Sequence, residues 1–99
     1  MLFAVHYTSS SHGDEAREKR TLKLLAAWKP PAGFDMKSWY DYADGSGGVA
    51  IVDVSSADVL LEAVAPWSTF LGFSVKPLVS VETSTPIYEK GIAWRDSVK

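Results

Sequence analysis

His6 is the one side chain that titrates near neutrality from within a run of strand-forming residues, MLFAVHYT, which makes it the candidate general acid or base. The same position equally suits a histidine at a subunit interface, satisfied by backbone or by a tyrosine hydroxyl. His6 and His12 with Asp14 make the only histidine–carboxylate grouping, and its spacing matches no recognised metal site, so neither metal nor cofactor is expected. Ser9, Ser10 and Ser11 have no glycine-framed elbow around them and read as loop and helix cap rather than nucleophile. Asp44-Gly45-Ser46-Gly47-Gly48 has the glycines of a phosphate loop but no closing Lys-Ser/Thr and no helix after it, so it reads as a hairpin turn. Four tryptophans and four tyrosines either line a pocket for an aromatic ligand or fill core and interface.

The whole chain narrows these options. At 99 residues, 46% hydrophobic and 22% charged, it is ordinary for one globular domain. A domain of this size buries only about two-thirds of the surface its unfolded chain exposes, so a bare apolar sheet face favours a partner subunit. A formal net charge of −2 with interspersed signs gives no extended positive field, so nucleic acid is not an expected partner. The absence of cysteine excludes disulfides, thiolate metal sites and a thiol nucleophile, and fits the cytoplasm. The opening residues lack the charged start and long apolar run of a signal peptide or membrane span, so they read as a strand and no membrane association is expected.

Residues 2–8 alternate Phe3, Val5, Tyr7 against Leu2, Ala4, His6, Thr8. A first helix follows, with Ser11 and Asp14 at capping-box spacing, Leu22 and Leu25 on its apolar side, and Lys29-Pro30-Pro31 as its stop. Residues 34–43 alternate Phe34, Met36, Ser38, Tyr40, Tyr42 against Asp35, Lys37, Trp39, Asp41, and the glycine-rich turn joins them to a strand at 49–54. Ser55 and Asp58 open a second helix with Leu60, Ala63, Val64 and Trp67 on one face, which Pro66 kinks or ends. The last strand alternates Leu71, Phe73, Val75 against Gly72, Ser74, Lys76, and Pro77 marks it as an edge or bulged strand. Thr85-Pro86 reads as an N-cap and first helical residue of a short tail helix.

The order β, α, β, β, α, β predicts an α+β ferredoxin-like domain over residues 1–82, a four-stranded antiparallel sheet with both helices on one face, followed by a C-terminal tail over 83–99. Each strand keeps apolar or aromatic residues on both parities. The bare sheet face is therefore expected to pair with a second copy, and which parity faces the helices stays open. The tail helix is a further candidate for docking on the partner protomer or on another protein.

The segments MLFAVHYT, WYDYADGSGGVAIVDVSSAD and PWSTFLGFSVKPLVSVE resemble a small bacterial family, domain of unknown function 3303, which is similar to dimeric α/β-barrel proteins. In that family a strand of aliphatic-Phe-aliphatic type often ends in Arg or His before Tyr, which His6-Tyr7 matches. The resemblance covers roughly residues 1 to 81; Pro66 and the tail depart from it. It implies two ferredoxin-like protomers packed sheet to sheet and carries no activity, since the wider relatives span monooxygenases, isomerases, polyketide cyclases and stress proteins. In related barrels a strand histidine with a tyrosine works beside a cavity for small molecules. The matching groups here are His6 with Tyr40 or Tyr42, bounded by Trp28, Trp39, Trp67, Phe70 and Phe73 as ligand-binding residues. The expected function is binding of a small apolar or aromatic molecule, or a structural role, in a homodimer. The alternative is a cofactor-independent cyclase, isomerase or monooxygenase-like enzyme with His6 as general acid or base.

Overall fold

Strand formers, turn glycines and three capped helices assemble as β1 (Leu2–Ser9), α1 (Glu15–Ala27), β2 (Phe34–Asp41), β3 (Gly47–Val54), α2 (Ala57–Val64), β4 (Leu71–Pro77) and α3 (Val81–Ser97). The computed structural model describes residues 1–9 and 13–99. The strands form one antiparallel sheet in the order β2-β3-β1-β4, so β4 is an edge, as Pro77 requires. This α+β architecture is consistent with the ferredoxin-like expectation, with α3 as an addition to βαββαβ.

The core lies on one sheet face. Phe3 and Val5 of β1 meet Ala50, Val52 and Val54 of β3, and Leu60 of α2 covers them, with Phe34, Met36, Val59, Val64 and Phe73 packed around. α2 ends at Val64 and passes into a 3-10 turn, Ala65–Trp67, because Pro66 cannot continue the α-helical ladder. Its N-cap is Ser56, whose Oγ accepts from the Val59 amide at 3.3 Å, rather than the expected Ser55. Ser55 is still engaged on leaving β3, its amide donating to the Gly33 carbonyl at 3.0 Å.

In the β2–β3 turn the Asp44 carboxylate accepts from the Ser46 amide at 3.0 Å and from its hydroxyl at 2.7 Å. These bonds hold the Asp44 carboxyl below its ordinary range. A carboxylate already occupies the turn's donor, which suits a hairpin and not a phosphate cradle.

The other two helix starts also differ from expectation. α1 is capped by Asp14, whose Oδ1 accepts from the Arg17 amide at 3.0 Å; the Ser11 cap and His12 lie outside the described residues. α3 begins at Val81, not after Thr85, because Ser80 caps it by accepting from the Thr83 amide at 3.2 Å. Pro86 thus sits inside the helix, in its second turn, where it lacks the N–H that would bond the Glu82 carbonyl. The Thr85 hydroxyl takes the Val81 carbonyl at 2.9 Å. α3 buries none of its residues. The 17.9 Å radius of gyration, against about 13 Å for a compact chain of this length, reflects a helix that does not fold back on the sheet. No helix of the described residues is long and apolar enough to cross a membrane.

Candidate functional site

Two attachments fix where α1 lies. Near its start the Arg17 guanidinium stands 5.6 Å from the Phe70 ring centre and donates to the Thr69 carbonyl. At its end Trp28 meets Phe34 edge-on at 6.1 Å and Trp67 at 5.9 Å. Between these pins the helix passes over the sheet without seating on it, and none of its residues is buried. The space left beneath is a cavity of about 340 Å³, within the size range of small-molecule sites. Val5, Met36 and Ala50 form its floor, Thr21, Leu22 and Leu25 its roof, and Trp28, Trp39, Trp67, Leu71 and Phe73 its walls. A second depression, about 440 Å³ and lined by Met1, Gly33–Asp35 and Asp53–Ser55, lies at the sheet's far end. Its charged groups are paired: the Met1 nitrogen lies 3.0 Å from Asp53 and donates to the Val54 carbonyl at 2.9 Å, and Asp35 pairs with Lys37 at 2.6 Å.

The polar end of the cavity under α1 is built from three strands. The Tyr7 hydroxyl donates to Asp41 Oδ1 at 2.6 Å and accepts from Trp39 Nε1 at 2.7 Å. Tyr7 belongs to β1 and Asp41 to β2, with β3 lying between them, so the phenol must cross a whole strand. Gly48, opposite both Tyr7 and Asp41 in the sheet, makes that crossing possible: a Cβ there would run into the Tyr7 ring and hydroxyl. Its φ is not positive, so the requirement is steric and not one of backbone conformation. Burial first, and then the hydrogen bond to Asp41, push the Tyr7 phenol up to about 12 against the opposing pull of the Trp39 N–H. Tyr7 is thus a neutral donor across the ordinary pH range.

Trp39 and Asp41 reach this site because β2 is bulged. Its register slips between Met36 and Ser38: Met36 pairs with Val52 and Ser38 with Ile51, leaving Lys37 as the extra residue. Before the bulge Phe34 and Met36 face the core; after it Trp39 and Asp41 do, while Tyr40 turns outward, 69% exposed. The uninterrupted alternation expected from sequence therefore reverses at Lys37.

His6 lies on the opposite face of the sheet from the cavity, since β1 contributes Val5, Tyr7 and Ser9 to the lining. Its Nδ1 is 2.8 Å from the Tyr42 hydroxyl, so the structure brings together one of the two expected histidine–tyrosine pairs. Trp28, Trp39, Trp67 and Phe73 come together around the cavity, separated from that pair by the sheet. Phe70 sits outside the lining, beneath Arg17. Tyr7, Asp41 and Gly48 are site residues that sequence reasoning misses. The legible signal is the doubled glycine at 47–48, one more than a tight turn needs. Among the described residues no cluster of three or more His, Asp or Glu side chains could hold a metal.

An aromatic-walled cavity with a polar mouth names no reaction, and comparison with known proteins adds a lineage without an activity. No curated protein matches the sequence. Residues 1–92 match the family described as domain of unknown function (DUF3303), a span that takes in most of α3 as well as the sheet, and the chain belongs to that family.

Proposed function

We propose that this protein binds a small apolar or aromatic molecule in the cavity between α1 and the sheet, and does so as a homodimer of dimeric α/β-barrel type. The observation that carries the reading is the cavity itself: about 340 Å³, walled by tryptophans and phenylalanine, beneath a helix attached only near its ends. An apolar space of this size is ample for a small ring system and supports a binding role. The homodimer is supported by the other sheet face, where Leu2, Tyr40 and Tyr42 are exposed and Val49 and Ile51 half-buried around His6. The lack of cysteine supports a cytoplasmic setting.

The test is an NMR titration with naphthalene. Saturable shifts at Ala50, Ala63 and Leu25, abolished in a folded Ala50→Phe variant that fills the floor, are the expected result. Shifts spread over the surface, or unchanged in Ala50→Phe, would sink the reading.

The 2.8 Å contact between His6 Nδ1 and the Tyr42 hydroxyl favours a second reading, a cofactor-independent cyclase, isomerase or monooxygenase-like enzyme with His6 as general acid or base. Tyr42 would orient the imidazole and Tyr40 stand by on the same face. This reading needs a second cavity at the sheet-to-sheet interface. A structure of the homodimer with the His6 rings packed against protein on all sides would remove it.

A further inference from the structure

The mouth of the cavity is asymmetric in its hydrogen bonding, and the asymmetry deepens the ligand-binding reading, on which the selectivity drawn from it rests. Asp41 Oδ1 accepts from Tyr7, while Oδ2 takes no hydrogen bond among the described residues. None of the described lysines or arginines forms an ion pair with Asp41, although Lys19 and Lys37 each pair with a neighbouring acid. The Tyr7 oxygen gives its proton to Asp41 and accepts one bond from Trp39, which leaves it one lone pair and no proton to offer. The only N–H of the cluster, on Trp39, is spent on Tyr7. These three side chains therefore present acceptors and a negative charge to a mostly apolar space, with every donor of the cluster already used.

We infer that the cavity selects an aromatic or alicyclic molecule that carries a hydrogen-bond donor, an ammonium ahead of a hydroxyl, at the end meeting Asp41 and Tyr7. The ring system lies among Trp28, Trp67 and Phe73, and the donor end reaches Asp41 Oδ2 and the free lone pair of Tyr7. A carboxylate-bearing molecule of the same shape is rejected, because it would face Asp41 without a donor between the two charges. Gly48 is the specificity device behind this polarity. It lets the Tyr7 phenol cross β3 and hold the Asp41 carboxylate at the mouth.

Four probes of one shape test this: naphthalene, naphthol, naphthylmethylamine and naphthoate, each titrated by NMR into the wild type, Asp41→Asn and Tyr7→Phe. In the wild type the amine is expected to bind about fivefold to tenfold tighter than naphthalene, the modest gain of a charge-assisted bond at a solvent-reached mouth, with naphthol between them and naphthoate weakest. Asp41→Asn should erase the amine's advantage and leave naphthalene unchanged. Tyr7→Phe, which removes only the phenol oxygen, serves as a second folded variant and should reduce the preference for naphthol. Equal binding of all four probes, unaltered in both variants, overturns the donor selectivity while leaving the cavity a binding site. Failure of every probe to bind the wild type overturns the binding reading and this inference with it.

Discussion

The two faces of the sheet use the same four strands and end in the same motif, a tyrosine hydroxyl on a polar partner, yet they treat it differently. Under α1 the Tyr7 phenol is drawn into a cluster with Asp41 and Trp39 at the end of an apolar cavity, with its proton held to about 12. On the other face the Tyr42 hydroxyl meets His6 in the open, with no helix above it. Burial separates the two cases, and burial follows from parity. A single bulged residue, Lys37, decides which aromatic and which carboxylate of β2 go to which face.

Adjacent residues of β3 give the strongest test of that contrast. Val52 is 1% exposed in the core, and Ile51 beside it points to the open face. Val52→Asp buries an unpaired carboxylate at a cost of several kcal/mol, comparable with the whole stability of a small domain, so the variant should not fold. Ile51→Asp should keep its circular dichroism and lose self-association in sedimentation velocity. Equal loss of fold in both would mean that the open face is as deeply covered as the core, and that the chain has no stable monomer.

The contrast also marks what a sequence shows and what it hides. Strand positions, the hairpin at Asp44-Gly45 and the early end of α2 at Pro66 are legible because each depends on local chemistry: periodicity, turn residues, a missing N–H. The cavity is half legible. Sequence reasoning gathers Trp28, Trp39, Trp67 and Phe73 into one pocket, and they line one. It places His6 in the same pocket by resemblance to barrels in which a strand histidine works beside a cavity, and because β1 keeps apolar residues on both parities, nothing in the chain says that Phe3, Val5 and Tyr7 face the helices. The bulge that turns Trp39 and Asp41 toward the cavity is also hidden, since β2 reads as one clean alternation. The stand-off of α1 is illegible too. It depends on Arg17 reaching Thr69 and Phe70, residues distant in sequence, and a helix seated on the sheet would show the same pattern of leucines. The start of α3 turns on which of several Ser and Thr residues caps it, and Ser80 supplies the hydroxyl.

A smaller effect is expected from Gly48→Ala, which leaves both faces apolar or polar as they are and closes the passage for the Tyr7 phenol. The new methyl meets the Tyr7 ring and hydroxyl and also the Tyr40 backbone carbonyl, so Tyr7 must swing off Asp41 and β2 must give locally, at a cost of about 1–3 kcal/mol. Alkaline titration by ultraviolet absorbance checks this directly. In the wild type one of the four tyrosines holds its proton to about pH 12; in Gly48→Ala that late step should move toward the ordinary phenol range. The same proton gives stability a definite pH dependence. The native phenol binds its proton more tightly than the unfolded one, so its contribution is complete below about pH 10 and is lost as pH rises toward 12. Denaturant stability should fall more steeply over that window in the wild type than in Tyr7→Phe.

Tyr42→Phe should do least, and how little it does reports on the partner. The hydroxyl it removes bonds His6 on a face that solvent reaches in the single chain, so water replaces it and the loss is at most about 1 kcal/mol. If a second copy covers the face, the same change strands the His6 nitrogen without water, and the cost rises to about 1–3 kcal/mol because an unmet buried group bears its full desolvation. The two cases separate on dilution: thermal melts of wild type and Tyr42→Phe should converge at concentrations where the protein is monomeric and diverge where it is associated. A difference that ignores concentration would mean that His6 and Tyr42 are already covered within one chain, and the two faces of the sheet would then differ less than their geometry indicates.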